Sequence, residues 1–281
     1  MTMPRLTYLS LGAGAQSSAL LVCSALGLYD CPKATVAIFA DTGDEPAWVY
    51  EQVDRLRAWA APHGIRVDTV TAGCISADVV DRHKGGRTQF AAIPAFTMGR
   101  DGRPAILRRQ CTREYKIEPI ERHVRGLLGF VKRQRIPPAT ALGLIGISRE
   151  EAQRMKPART PWMVHAWPLV DAGLRRLDCV RILADAGLPE PQKSACVFCP
   201  FHSDAYWSML KTDHPIEFER AAALDDAIRD MSKSGIKGKV FLHRQLIPLR
   251  LVDFEAMARE RDKQQSLDFN FGNECHGVCG V

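Results

Sequence analysis

Leu6-Thr7-Tyr8-Leu9-Ser10-Leu11-Gly12-Ala13-Gly14-Ala15-Gln16-Ser17-Ser18-Ala19-Leu20-Leu21-Val22-Cys23 reads as strand, turn and helix in one continuous run. Leu6 to Leu11 is short and apolar and stops at glycine, as a strand buried on both faces does. Leu20, Leu21, Ser24 and Leu28 then recur at helical spacing, so a helix is expected over Ser17 to Leu28. The turn between them is built of small residues. A strand leading through such a turn into a helix presents backbone N–H groups and the positive helix end to an anion. The same glycines also suit a tight turn with no ligand. The turn lacks the Gly-Lys-Ser/Thr of a Walker A loop and the third glycine of a dinucleotide fingerprint.

Outward from this unit the pattern repeats. Thr35 to Ala40 and Ile65 to Val70 read as strands, with a helix over Pro46 to Ala61 between them. A further strand is expected over Thr140 to Ile147, and helices over Ile117 to Leu128, Leu177 to Ala186 and His214 to Met231. Strands alternating with helices imply an α/β fold with a doubly wound parallel sheet of Rossmann-like type. Asp81 to Arg109 has weak periodicity and many Gly, Arg and Pro residues, and reads as a long surface loop or lid. Arg149 to Pro161 reads as a basic loop. Residues 1–205 are expected to form the nucleotide-binding α/β domain. Residues 206–281 are expected to form a helical, cysteine-containing extension whose tail packs on the same site.

The bulk composition agrees with a globular enzyme. Of 281 residues, 46% are hydrophobic and 25% charged, so a core of ordinary size can form. A net charge of +6 suits an anionic substrate but is too small to establish nucleic-acid binding. No apolar run has the length of a membrane span, and residues 1–8 lack a signal-peptide pattern, so a cytoplasmic location is expected. In that compartment nine cysteines are not expected to form a disulfide framework.

Asp41-Thr42-Gly43 ends the second strand and faces the crevice where a doubly wound sheet binds ligands. Asp41 suits a ribose hydroxyl, a nucleobase amine or Mg²⁺; an Asx turn leaving a strand is the plainer alternative. Cys196-Val197-Phe198-Cys199-Pro200 spaces two thiolates for one metal or cluster. Zinc would pair Cys196 and Cys199 with Cys275 and Cys279. A [4Fe–4S] cluster would take Cys111, Cys196, Cys199 and one C-terminal cysteine. Arg108, Arg109, Arg113 and Lys116 surround Cys111, and Arg149, Arg154, Lys156 and Arg159 form a second basic group. Planar guanidinium groups suit phosphate.

Taken in order, these motifs resemble the PP-loop (adenine nucleotide alpha hydrolase, HUP-type) superfamily, in its branch of phosphoadenosine phosphosulfate (PAPS) reductases and DNA-phosphorothioation sulfurtransferases. Ser10 to Gln16 matches S-x-x-x-G-x-Q. Asp41, Thr42, Gly43, Glu45, Pro46 and Tyr50 match the end of the second strand and its helix. Arg108 to Ile120 resembles R-x-x-C-T-x-x-x-K-I-x-P-I, and Gly143 to Arg154 and Trp167 to Leu169 resemble later segments. The likeness spans roughly Leu6 to Tyr206.

The resemblance implies nucleotide contacts from Ser10, Gly12, Gly14, Gln16, Ser17, Ser18, Asp41, Thr42, Gly43, Arg109 and Arg149. It implies ATP, or PAPS or adenylyl sulfate, as nucleotide, with Mg²⁺. It favours the [4Fe–4S] cluster on Cys111, Cys196, Cys199 and Cys275 over zinc, and gives Lys116, Cys275 and Cys279 catalytic roles. Gln110 stands where the reductases have the first cysteine of a pair, so a fourth ligand comes from Cys275 or Cys279, or one iron stays open. Glu274-Cys275 resembles the start of the reductase tail, but His276-Gly277-Val278-Cys279 departs from it. The first functional expectation is an ATP pyrophosphatase that adenylates a substrate for sulfur transfer to a nucleic acid or small molecule. Its sulfur donor would be a partner such as a cysteine desulfurase. The alternatives are a sulfonucleotide reductase recycled by thioredoxin and a non-catalytic, metal-containing nucleotide-binding module.

Overall fold

The computed structural model describes residues 4–84, 93–254 and 256–257. In chain order the strands are β1 (Leu6–Leu11), β2 (Val36–Asp41), β3 (Arg66–Thr71), β4 (Phe96–Met98), β5 (Pro104–Ile106), β6 (Ala141–Ile145), β7 (Met163–Ala166) and β8 (Val240–Phe241). The α-helices are α1 (Ala15–Leu26), α2 (Ala47–Ala60), α3 (Ile75–Lys84), α4 (Glu118–Leu127), α5 (Pro168–Asp171), α6 (Arg176–Asp185), α7 (Asp204–Asp213) and α8 (Pro215–Ala227). No helix among the described residues is long and apolar enough to cross a membrane.

The main sheet has the order β3-β2-β1-β6-β7 with every pairing parallel. The strand order therefore reverses between β1 and β6, and the fold is a doubly wound α/β fold. The central strands β1, β2 and β6 are buried along most of their length, as strands covered on both faces must be. The edge strand β3 reads Arg66-Val67-Asp68-Thr69-Val70-Thr71; its two valines turn to opposite faces, Val67 into the core beside α1 and α2 and Val70 against the core beside α4, and the rest is polar. On one face α1 packs on α2, α5 and α6, and Leu9, Leu20, Leu21, Leu56 and Leu183 share a core. Each such fully buried side chain contributes on the order of 1.5–3 kcal/mol. On the other face α4 lies over β2 and β3, with Tyr8, Ile38, Ile120 and Val124 between.

The expectation of one long loop over residues 81–109 is not met by the described part of it. Its start continues α3, and its later part forms β4 and β5, which pair antiparallel with each other, while β4 also pairs antiparallel with distant β8. Strands this short carry no periodicity, and only long-range pairing makes them. The small sheet, α3, α7 and α8 enclose a second core around Trp207, Leu210 and Leu242. That core also takes in Tyr115, Val197 and Phe198, so it draws on chain from both sides of residue 205. The basic stretch from Arg149 begins as a 3₁₀ helix over Arg149–Arg154.

Candidate nucleotide and thiol site

At the end of β1 the chain passes through Gly12, Ala13 and Gly14 into α1. Ala13 is buried in the left-handed region with φ 58°. A non-glycine residue held there costs on the order of 1–2 kcal/mol, so its surroundings must hold it. Ser17 does part of this: its Oγ accepts from Gly12 N at 3.1 Å and donates to Gly14 O at 3.3 Å. No side chain caps the N-terminus of α1, and its first turn carries no acidic residue. Its positive end is therefore not neutralised locally, a bias worth about 0.3–1 kcal/mol for an anion.

This turn opens on a cavity of about 210 Å³ lined by Ser10, Gly12, Gly14, Gln16 and Ser17. Its far wall holds Arg154, Arg176, Lys193 and one carboxylate, Glu151. Gln16 Nε2 donates to Glu151 Oε2 at 3.3 Å, and Arg154 Nη1 donates to Glu151 Oε1 at 2.5 Å. Arg154 Nε is buried with no hydrogen-bond partner. Gly146, just past β6, closes the floor. A Cβ there would lie 2.7 Å from Ser17 Cα and 2.8 Å from Ser17 N, so only glycine allows β6 this close to α1.

The end of β2 holds a second group of residues. Asp41 Oδ1 accepts from Gly43 N at 2.8 Å and from the Tyr50 hydroxyl at 2.9 Å. Burial, and then this bond to Asp41, push the Tyr50 phenol up. Thr42 is fully buried; its Oγ1 donates to Glu45 Oε1 at 3.3 Å and lies 3.3 Å from Cys196 Sγ. Lys116 Nζ donates to the same Glu45 oxygen at 3.1 Å. Lys116 sits on a turn of π-helix, Arg113–Ile117, that leads into α4. Such wide turns are often retained where a side chain must be re-aimed. The other oxygen, Glu45 Oε2, is buried with no hydrogen-bond partner.

Burial, followed by the Glu45 carboxylate, holds the Cys196 thiol well above its ordinary range; Lys116 and the Thr42 contact oppose this. Cys111 is near enough to add to the upward push, and both cysteines border the second core. Cys199 N donates to Cys196 O at 3.0 Å, closing the turn, while Val197 and Phe198 anchor it in that core. Burial pushes the His202 imidazole down to about 3, so it is neutral at pH 7. A carbonyl only accepts, so His202 Nε2 is the donor to Cys196 O at 2.9 Å. Asp44 ties the region together: its carboxylate accepts from Ser76 N and Oγ, and its carbonyl accepts from Val197 N at 2.9 Å. Gln192, Lys193 and Ser194 line the phosphate-sized cavity, and Cys196 follows two residues later.

Ser10, Gly12, Gly14, Gln16 and Ser17 thus share one cavity, while Ser18 is buried away from it with its hydroxyl unpartnered. Asp41, Thr42 and Gly43 lie at the β2 end with Lys116 and Cys196. Arg109 lines a second cavity of about 490 Å³ beside the first. Arg149 is exposed and lines neither. Arg176, Glu151, Lys193 and Gly146 were not singled out from the sequence; a cation three residues before the first cysteine was the one available signal. Cys275 and Cys279 lie outside the described residues. Among the described residues no three His, Cys, Asp or Glu side chains are grouped to hold a metal ion. Of the four thiols implied for a [4Fe–4S] cluster, Cys111, Cys196 and Cys199 are among the described residues.

No protein-family model and no curated protein matches the chain. Among solved structures it is similar to phosphoadenylyl-sulfate (PAPS) reductase from Candida auris in a phosphate complex. That likeness has 14% identity and a TM-score of 0.41, over 69% of this chain and 82% of the other.

Proposed function

We propose that this chain is a PP-loop-type ATP pyrophosphatase that adenylates an acceptor for sulfur transfer. One observation carries the reading. An uncapped helix N-terminus and three cationic side chains against a single carboxylate, Glu151, surround a cavity of about 210 Å³ at the switch point of the sheet, and the chain lining it runs directly into the half-buried thiol of Cys196. Drug-sized ligands fill roughly 300–1,000 Å³, so this space suits phosphates rather than a whole nucleotide. The first-turn amides of α1 would take the phosphate oxygens, with Arg154, Arg176 and Lys193 balancing their charge. The nucleoside would lie toward Asp41 and Thr42.

An acceptor oxygen attacks the α-phosphorus, the bond to the β-phosphate oxygen breaks, and pyrophosphate leaves. A nucleophile of the hydrosulfide class then attacks the acceptor carbon, the carbon–oxygen bond breaks, and AMP departs with the oxygen. Ser10, Ser17 and Glu151 are oxygen donors of the kind Mg²⁺ takes, and the ion would spread the phosphate charge. In this reading Cys111, Cys196, Cys199 and Cys275 would hold a [4Fe–4S] cluster that supplies sulfur-transfer chemistry.

The test is anaerobic purification, iron and zinc analysis, and parallel assays of pyrophosphate from ATP and sulfite from PAPS. Pyrophosphate release with iron bound is the expected result. Sulfite release without ATP would replace this reading with sulfonucleotide reduction. ATP binding with neither product would leave a binding module, and a colourless zinc protein would remove the cluster.

A further inference from the structure

Parallel strands are joined by a crossover that is usually a helix. Between β6 and β7 the chain instead supplies only the 3₁₀ helix Arg149–Arg154 and irregular backbone. On the face away from α1, α4 packs most closely on β2 and β3, and opposite β6 and β7 it leaves a cavity, so that part of the face is uncovered by close helix packing. The register defines that face. Tyr8 pairs with Gly143 and Gly143 with His165, while Ser10 pairs with Ile145. Gly143 matters here, since a Cβ would lie 2.5 Å from the Tyr8 hydroxyl.

The uncovered face, the π turn and α4 enclose the cavity of about 490 Å³. Ile117, Ile120, Ile145 and Met163 give it aliphatic walls, and Tyr8 and Glu121 add polar groups. Arg109, Arg113, Lys156 and Arg159 also line it. Among the described residues neither Lys156 nor Arg159 forms an ion pair, and both are exposed. The two cavities share Ser10. The larger volume falls within the range that holds a small organic ligand.

We infer that this second cavity binds the acceptor, and that the acceptor is a nucleoside phosphate. Its base would lie flat between the isoleucines and Met163, its edge would meet Tyr8 and Glu121, and its phosphate would be held by Lys156 and Arg159. The inference rests on the proposed function, in which ATP fills the neighbouring cavity and the β2 end. Ser10, common to both cavities, then marks where acceptor and α-phosphate meet. The same chemistry is offered by a free nucleotide and by a unit of a nucleic-acid strand.

The test titrates UMP, GMP, uridine and a 5′-phosphorylated dinucleotide into protein saturated with α,β-methylene ATP. It uses wild type, the rim double variant Lys156→Gln/Arg159→Gln, and the cavity-filling Met163→Trp. The expected result is monophosphate binding to the loaded protein, weaker by at least tenfold in both variants and for uridine. Affinity for the ATP analogue should stay within twofold. The rim variant alters only exposed side chains, so it decides the question even where Met163→Trp does not fold. No binding to the loaded protein, competition with the ATP analogue, or an unaffected rim variant overturns the inference. Tighter binding of the dinucleotide identifies a strand as the source, and equal binding a free nucleotide. Failure of the ATP analogue to bind, with monophosphate binding still sensitive to the rim, would instead overturn the proposed function.

Discussion

Replacing Gly146 by alanine tests the geometry on which the cavity of about 210 Å³ depends. The added Cβ would stand 2.7 Å from Ser17 Cα, 2.8 Å from Ser17 N and 3.1 Å from Gln16 C. All three are backbone atoms, so no side chain can swing aside and the first turn of α1 must move from β6. Overpacking of this kind costs about 1–3 kcal/mol. For a chain of this size each kcal/mol lowers the melting temperature by about 2–4 °C, so a fall of about 2–12 °C is expected. The displaced amides are the ones assigned to phosphate, so ATP affinity should fall as well. Gly126→Ala is the matched control. It lies in α4 with nothing within 4 Å of the new methyl, and alanine there should stabilise by about 0.5–1 kcal/mol. Differential scanning calorimetry and isothermal titration with ATP read both effects. A Gly146→Ala variant that melts with wild type and binds ATP equally would refute the close approach of β6 to α1.

Three further outcomes follow from the buried polar groups. Lys116→Met leaves the Glu45 carboxylate buried without its cation, and urea unfolding should show a loss of about 3–5 kcal/mol; adding Glu45→Gln to it should restore a good part. Burial pushes the Asp204 carboxyl up, but the hydrogen bond from His243 at 3.2 Å and the nearby Arg244 outweigh it and hold it below the ordinary carboxylate range. A depressed folded value contributes stability above pH about 4, and that contribution is lost as pH falls toward the folded value. The stability gap between wild type and Asp204→Asn should therefore narrow below pH 4; a gap that is the same at pH 3 and pH 7 would contradict this. Burial raises Cys23 to about 11 and Cys179 to about 12, so thiolate at pH 8 is about one part in a thousand or less. Native-state alkylation followed by mass spectrometry should leave both unmodified until urea is added.

The strand–turn–helix at Leu6 to Cys23 and the alternation that follows it were legible in the sequence because each signal is local. An apolar run, a glycine turn and a helical stripe complete themselves within a few residues, and repeated strand–helix units leave a parallel sheet as their economical packing. That Ser10, Gly12, Gly14, Gln16 and Ser17 come together around one turn was legible for the same reason, unlike the placement of Ser18. Its place one position further along the helix turns it into the core. Gly146 gave no signal, since its need for glycine comes from Ser17, on another element. The strands β4, β5 and β8 are too short to show a period; β5 forms by hairpin pairing with β4, and pairing between residues near 97 and 240 joins β4 to β8. Cys196 could be read as half of a pair with Cys199. That it lies against Thr42 and Glu45, with Lys116 on the same carboxylate, follows from packing the second core against the sheet. The sequence by itself therefore determined the strand–turn–helix unit at the start of the sheet and the winding of the sheet. Only tertiary structure decided what surrounds each cavity and which thiol meets which acid. Those contacts join residues 71 to 154 positions apart, and no local pattern records them.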